Sequence, residues 1–198
     1  MKRNVVFAAV AAVLVALVVI GLLSARDSSS DKVRRPSEPA GPSLRQARAQ
    51  LQGAPAPLAA VHAQSSQLLG GGAKAFAARL RELRGHPVVV NKWGSWCPPC
   101  RAEFPAFQRA SARYGKKVAF LGVDGQDNAR DARRFLARFP VSYPSYVDSD
   151  LGIARRLKAV QAFPSTVFYD SKGEVAYIKQ GSYPDERALA ADIRRYAR

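Results

Sequence analysis

"VVVNKWGSWCPPCRAEFP", residues 88–105, holds the only two cysteines of a 198-residue chain, Cys97 and Cys100. A run of β-branched residues after Pro87 reads as a buried strand. Apolar residues at helical spacing follow the second cysteine and run through about Tyr114. A strand that ends at Trp93 and a helix that begins near Cys97 place the first cysteine at a helix N-terminus. There the unpaired backbone N–H groups and the helix dipole stabilise a thiolate and lower its pKa. Pro98 and Pro99 suit the first turn, where an N–H has no intrahelical partner. They also remove N–H donors to Cys97, so the expected lowering is moderate. Cys100, three residues on, is within disulfide reach and is expected to be the more buried of the two.

The spacing C-x-x-C admits several chemistries. A structural zinc site needs four ligands, usually two pairs, and this chain offers one pair plus His62 and His86. His86 adjoins the buried strand and reads as a turn residue. Haem attachment requires C-x-x-C-H, and Arg101 occupies that position. A disulfide of such short span closes almost no loop and contributes little stability. A redox-active dithiol remains, with no metal and no cofactor expected.

Outward from this stretch, the pattern is that of an α/β domain. Residues 73–85 have helical spacing and stop at Gly85; residues 87–93 and 117–124 read as buried strands. Residues 128–139 read as a helix, 145–148 as a short extended piece and 151–159 as another helix. "STVFYD" (165–170), a glycine-containing turn (171–174) and "VAYIKQG" (175–181) predict an antiparallel hairpin. Residues 184–198 predict a closing helix, with Pro184, Asp185 and Glu186 in its first turn. The order βαβα, hairpin, α implies a mixed central sheet with helices on both faces.

The N-terminus has a different character. Lys2 and Arg3 precede an uncharged apolar run over residues 5–23, which would span about 28 Å as a helix. Residues 1–4 therefore read as a cytoplasmic n-region and 5–23 as a transmembrane signal anchor. Cleavage near Ala25 is the alternative and would leave a soluble exported protein, but Leu23 breaks the usual small-x-small pattern. Basic residues flank both sides, yet long domains translocate largely regardless of such charge. Residues 24–57, rich in Ser, Pro and charge, read as a flexible tether. "LRQARAQLQ" (44–52) has room for a helical turn or two. The folded domain is expected over 58–198.

The chain carries 31 Lys and Arg against 15 Asp and Glu, a net charge of +16. Such a charge favours anionic surfaces. The basic residues are scattered over helices such as "ARDARRFLARF" (129–139), which reads as a solvated face, and no nucleic-acid reader motif accompanies them. No nucleic-acid partner is expected.

"NKWGSWCPPCRAEFP" together with "AFPSTVFYDSKGE" (162–174) resembles the thioredoxin fold, and more closely the membrane-anchored, extracytoplasmic TlpA/ResA/CcmG-type thiol–disulfide oxidoreductases. The resemblance covers roughly residues 58–198. It implies that Cys97 is the exposed nucleophile and Cys100 the resolving cysteine, joined in the oxidised form. It implies that Trp96, Phe163 and Pro164 help bind substrate and that Pro105 kinks the helix. Pro164 matches a cis-proline facing the cysteines. Glu103 matches an acidic residue that influences proton transfer at the dithiol. From spacing alone, Glu103 shares nearly one helix face with both cysteines; the plainer alternative is an exposed first-turn glutamate favouring the dipole. Asn91 stands where thioredoxin itself has a buried aspartate, as is common in the TlpA-like group. Ala162 stands where that group often has glycine.

The resemblance implies a monomeric enzyme on the outer face of the cell membrane that exchanges disulfides with protein substrates. Reduction of exported proteins such as apocytochrome c, with electrons from a membrane dithiol donor, is the expected direction. The alternatives are an oxidase that introduces disulfides and, in a different class, a copper or haem chaperone. The absence of a histidine after His86 argues against the chaperone.

Overall fold

A computed structural model of the chain describes residues 41–198. Six strands form one sheet: β1 (Leu68–Leu69), β2 (Val88–Trp93), β3 (Ala119–Gly125), β4 (Ser145–Asp148), β5 (Ser165–Tyr169) and β6 (Val175–Gln180). Their order is β1-β4-β3-β2-β5-β6. The pairs β1/β4, β4/β3 and β3/β2 are parallel, and β2/β5 and β5/β6 antiparallel. This is a thioredoxin-like mixed sheet, and the hairpin expected at 165–181 closes it on one side. Its turn uses Gly173 at φ 82°, where a side chain would be strained. The carboxylate of Asp170 accepts from the N–H groups of Lys172 and Glu174.

Central position explains the composition of β2. All six of its residues are buried, so it reads as an apolar run rather than an alternating one. Alternation still decides which way each side chain points. Asn91 reaches Glu103 on α4 (Pro98–Tyr114), and Lys92 reaches Val160 on the opposite face. Beside α4 lie α5 (Ala129–Arg138) and α7 (Glu186–Tyr196). On the Lys92 face, α3 (Gly72–Glu82) packs against α6 (Gly152–Arg156). Helices thus cover both faces.

An aromatic cluster joins β2, α4 and α5. The ring of Phe135 stacks on Trp93 at 4.9 Å and meets Phe104 edge-on at 4.6 Å. Each such pair is worth about 0.5–1.5 kcal/mol beyond area burial. Phe104→Ala would open a cavity beneath the site helix at a cost of about 3–5 kcal/mol.

Two boundaries differ from expectation. The fold extends N-terminally of residue 58: α1 (Leu44–Leu51) has a capping box on Ser43 and packs against α4. It buries Ala47 and Leu51, and α2 (Ala56–Ala63) buries Leu58 and Val61. The Ser-, Pro- and charge-rich composition of 24–57 made 44–57 read as tether, but two apolar residues four apart suffice to seat one face of a helix. Helix α6 is shorter than the expected 151–159, because Lys158 takes φ 55° and left-handed backbone ends a helix. Among the described residues no helix is long and apolar enough to cross a membrane. The apolar run at 5–23 and residues 24–40 of the expected tether lie outside the described residues.

Candidate active site

Cys97 is the N-cap of α4 and holds extended backbone, φ −93° and ψ 106°. Pro98 and Pro99 fill the first two helical positions and are exposed. The first backbone N–H available is that of Cys100, which donates to Sγ of Cys97 at 3.2 Å. Cys97 and Cys100 are joined in a disulfide, with Cα atoms 5.3 Å apart. Cys97 was expected to be exposed, yet it is 2% accessible against 0% for Cys100. In this oxidised form its sulfur turns inward, bonded to Cys100 and accepting that residue's N–H. The helix continues through Pro105, whose missing N–H leaves the carbonyl of Arg101 without its helical donor.

Glu103 lies one turn beyond Cys100 and is fully buried, so the exposed first-turn alternative does not hold. Its Oε1 accepts from Asn91 Nδ2 at 2.7 Å and its Oε2 from the N–H of Tyr183 at 3.0 Å. Burial raises its pKa to about 8, against the two hydrogen bonds and the charge of Lys179, which favour the carboxylate. The carboxyl is thus held in two-point contact while its proton affinity is brought near that of a free thiol, about 8.5.

The third part of the site is the segment before β5. The Phe163–Pro164 bond is cis. The ring of Phe163 lies 4.8 Å from that of Trp96, and Nε1 of Trp96 donates to the carbonyl of Gln126 at 3.1 Å. Trp96 is 51% exposed, the largest aromatic on the surface here. The Pro164 carbonyl accepts from Gly181 N–H and the Ala162 carbonyl from the Ser165 hydroxyl. The N–H and C=O of Phe163 make no hydrogen bond among the described residues. The fold therefore joins Trp96 to Phe163, and Asn91 to Glu103, over separations that the sequence leaves open.

A family profile described as Redoxin matches residues 53–193. The chain belongs to the redoxin family. It is similar to the thiol-disulfide oxidoreductase ResA of Halalkalibacterium halodurans, at 28% identity over 54% of this chain and 61% of that protein. It is similar to the thiol:disulfide interchange protein DsbE of Pseudomonas fluorescens biotype C, at 32% identity over 48% of this chain and 51% of that one. A solved Chlorobium tepidum structure assigned as a DsbE thiol:disulfide interchange protein is 31% identical. It has a TM-score of 0.53 and covers 59% of this chain and 83% of its own. The matches span about half to three-fifths of the length of these curated relatives. The resemblance to TlpA/ResA/CcmG-type proteins read from the dithiol and cis-proline motifs agrees with them.

Two charged residues of this redoxin domain were not singled out in its sequence. Lys92 is completely buried. Its Nζ donates to the Val160 carbonyl at 3.0 Å and sits 3.7 Å from the centroid of Phe163. Burial lowers its pKa to about 8, opposed by the charge of Asp148. The signal was available: a lysine at a central strand position is rarely buried without a specific partner. Asp124, at the end of β3, is 1% exposed and lies beside Asp127. Burial, followed by the nearby Asp127 and Asp148, raises its pKa to about 8. Asp127 in turn accepts from the N–H of Ser95, in the loop leading to Cys97. His62 is structural, with ring nitrogens 3.1 Å and 2.9 Å from the carbonyls of Ser142 and Gly115.

Proposed function

We propose that this redoxin is a thiol–disulfide oxidoreductase that reduces disulfides in exported proteins, apocytochrome c among them. The observation that carries the reading is a Cys97–Cys100 pair at a helix N-cap, with the buried carboxyl of Glu103 one turn away. In the reduced enzyme the Cys97 thiolate attacks one sulfur of the substrate disulfide. A mixed disulfide forms and the first substrate thiolate leaves. Cys100 then loses its proton to the Glu103 carboxylate and attacks Sγ of Cys97. The second substrate thiolate leaves, and the enzyme is left oxidised, as in the present structure. Two electrons have passed from the enzyme dithiol to the substrate disulfide.

The unpaired N–H and C=O of Phe163 supply a short edge on which an extended substrate segment pairs. Trp96 and the Phe163 ring cover its side chains. Oxidised enzyme needs a dithiol donor. The apolar run at 5–23 favours a membrane-held protein acting outside the cell, supplied by a membrane dithiol carrier.

The test is a Cys100→Ser variant, which stops after the first attack. Expressed in cells, it is expected to accumulate mixed disulfides through Cys97 with exported cysteine-containing proteins, and reductant should release them. Absence of any adduct, or adducts that persist in a Cys97→Ser, Cys100→Ser double variant, would refute the mechanism.

A further inference from the structure

Helix α5 was expected to present a solvated basic face, and its arginines are indeed exposed. What its sequence does not convey is where that face lies. Phe135 is clamped between Trp93 and Phe104, and Phe139 packs against Phe104 and Phe135. This fixes the helix beside the first turn of α4, so that two of its arginines, Arg134 and Arg138, rim a groove starting at Trp96, the neighbour of the nucleophilic cysteine. The groove encloses about 370 Å³ and is bordered by Trp96, Arg101, Arg134, Arg138, Asp131 and Phe139.

The charges there do not balance. Arg134 is paired with Asp131. Arg138 lies over the ring of Phe139 at 5.7 Å and makes no ion pair among the described residues, and neither does Arg101. Three guanidinium groups thus face one carboxylate. Guanidinium binds a carboxylate through two parallel N–H···O bonds, which gives direction as well as attraction. The aromatic rings of Trp96 and Phe139 add an apolar floor between the cations.

We propose that this groove is a specificity subsite for acidic side chains flanking the disulfide of a polypeptide substrate. The proposal rests on the thiol–disulfide reading and adds the chemical character of the substrate to it. A polypeptide is favoured over other polyanions by position. The groove opens beside the dithiol, so a chain whose cysteine is bonded to Cys97 lays its next few residues across Trp96. Acidic residues there meet Arg101, Arg134 and Arg138, while an apolar residue covers the floor. Charges at such a rim act mainly on encounter and capture and are weakened by salt.

The experiment uses the full-length reduced protein and two peptides with the same internal disulfide. One has three glutamates beside the cysteine, and the other has glutamines in their place. At low salt the acidic peptide is expected to show a KM about 5- to 10-fold lower, given the two positive charges that Asp131 leaves uncompensated. That ratio should fall towards one at 0.5 M salt, and also in an Arg134→Gln, Arg138→Gln double variant. The salt series needs no variant and stands even if the double variant folds poorly. Equal KM values for two peptides that are both reduced would overturn the subsite and leave the oxidoreductase reading intact. Failure to reduce either peptide would remove that reading instead. Inhibition of the acidic peptide by an oligonucleotide of equal charge, at equal concentration, would overturn the polypeptide assignment.

Discussion

The side-chain amide of Asn91 donates to Oε1 of Glu103 at 2.7 Å, tying the middle of β2 to the helix that carries both cysteines. The other carboxyl oxygen is held by the N–H of Tyr183. Both bonds favour the carboxylate, while burial favours the acid. Burial is the larger effect, so the group titrates at about 8. A carboxyl in that range can take a proton from a thiol and return it, which one at 4.5 would do poorly.

Glu103→Gln keeps the shape and removes the titration. The rate of mixed-disulfide resolution should fall about 10²-fold, the lower range for a general base, and the inflection near pH 8 should disappear from its pH profile. Rapid-mixing fluorescence of Trp96 reads the step directly. A variant with an unchanged profile would make Glu103 a structural residue only.

Stability of the oxidised protein should pass through a minimum near pH 8. Glu103 and Asp124 ordinarily titrate at 4.5 and 3.8, and in the fold both rise to about 8. Between those values the native state holds protons that the unfolded chain has lost. Stability is therefore greatest below pH 4 as far as these groups are concerned, and declines as pH rises to 8. Each carboxyl contributes a slope of up to about 1.4 kcal/mol per pH unit. Lys92 runs the other way: its value falls from 10.5 to about 8. Above pH 8 the unfolded chain binds the extra proton, so stability recovers towards pH 10.5. Urea midpoints at pH 5, 8 and 10 check this; a midpoint that climbs from pH 5 to 8 would contradict it.

Lys92→Met separates two roles of one side chain. Methionine fills the same space without a buried charge. The variant should compare more favourably with the parent at pH 7 than at pH 10, where the parent lysine is neutral. It should also bind peptide disulfides more weakly, by up to about tenfold, as Phe163 loses its cation–π contact. Thermal midpoints at the two pH values and KM for one peptide measure both effects. An unaltered KM would show that Lys92 does not position the Phe163 segment.

The dithiol should be reducing, near the thioredoxin potential of about −270 mV rather than the −120 mV of a strong oxidant. Pro98 and Pro99 leave one N–H, that of Cys100, to stabilise the Cys97 thiolate. A thiolate with few donors is less stabilised, so the disulfide is harder to reduce. Equilibration against glutathione gives the value, and one well above −200 mV would favour the oxidase direction.

Much of this protein was legible along the chain. Strand β2, the N-capping place of Cys97, the antiparallel hairpin and the helix over Glu186–Tyr196 all follow from local rules of periodicity, proline placement and turn residues. The motifs around Cys97 and Pro164 were enough to place the chain in its family. Local rules failed where partners lie far apart. Residues 44–51 looked like tether because the surface that buries Ala47 and Leu51 belongs to α4. Glu103 could be exposed or buried by its spacing, and only contacts with Asn91 and Tyr183, 12 and 80 positions away, decided it. Lys92 read as one more strand residue until the carbonyl of Val160, 68 positions on, and the ring of Phe163 closed around its ammonium group. Helix and turn formation depend on neighbours within about four residues, so sequence alone determines them here. Proton affinity depends on what excludes water from a group, and the tertiary structure alone decided that.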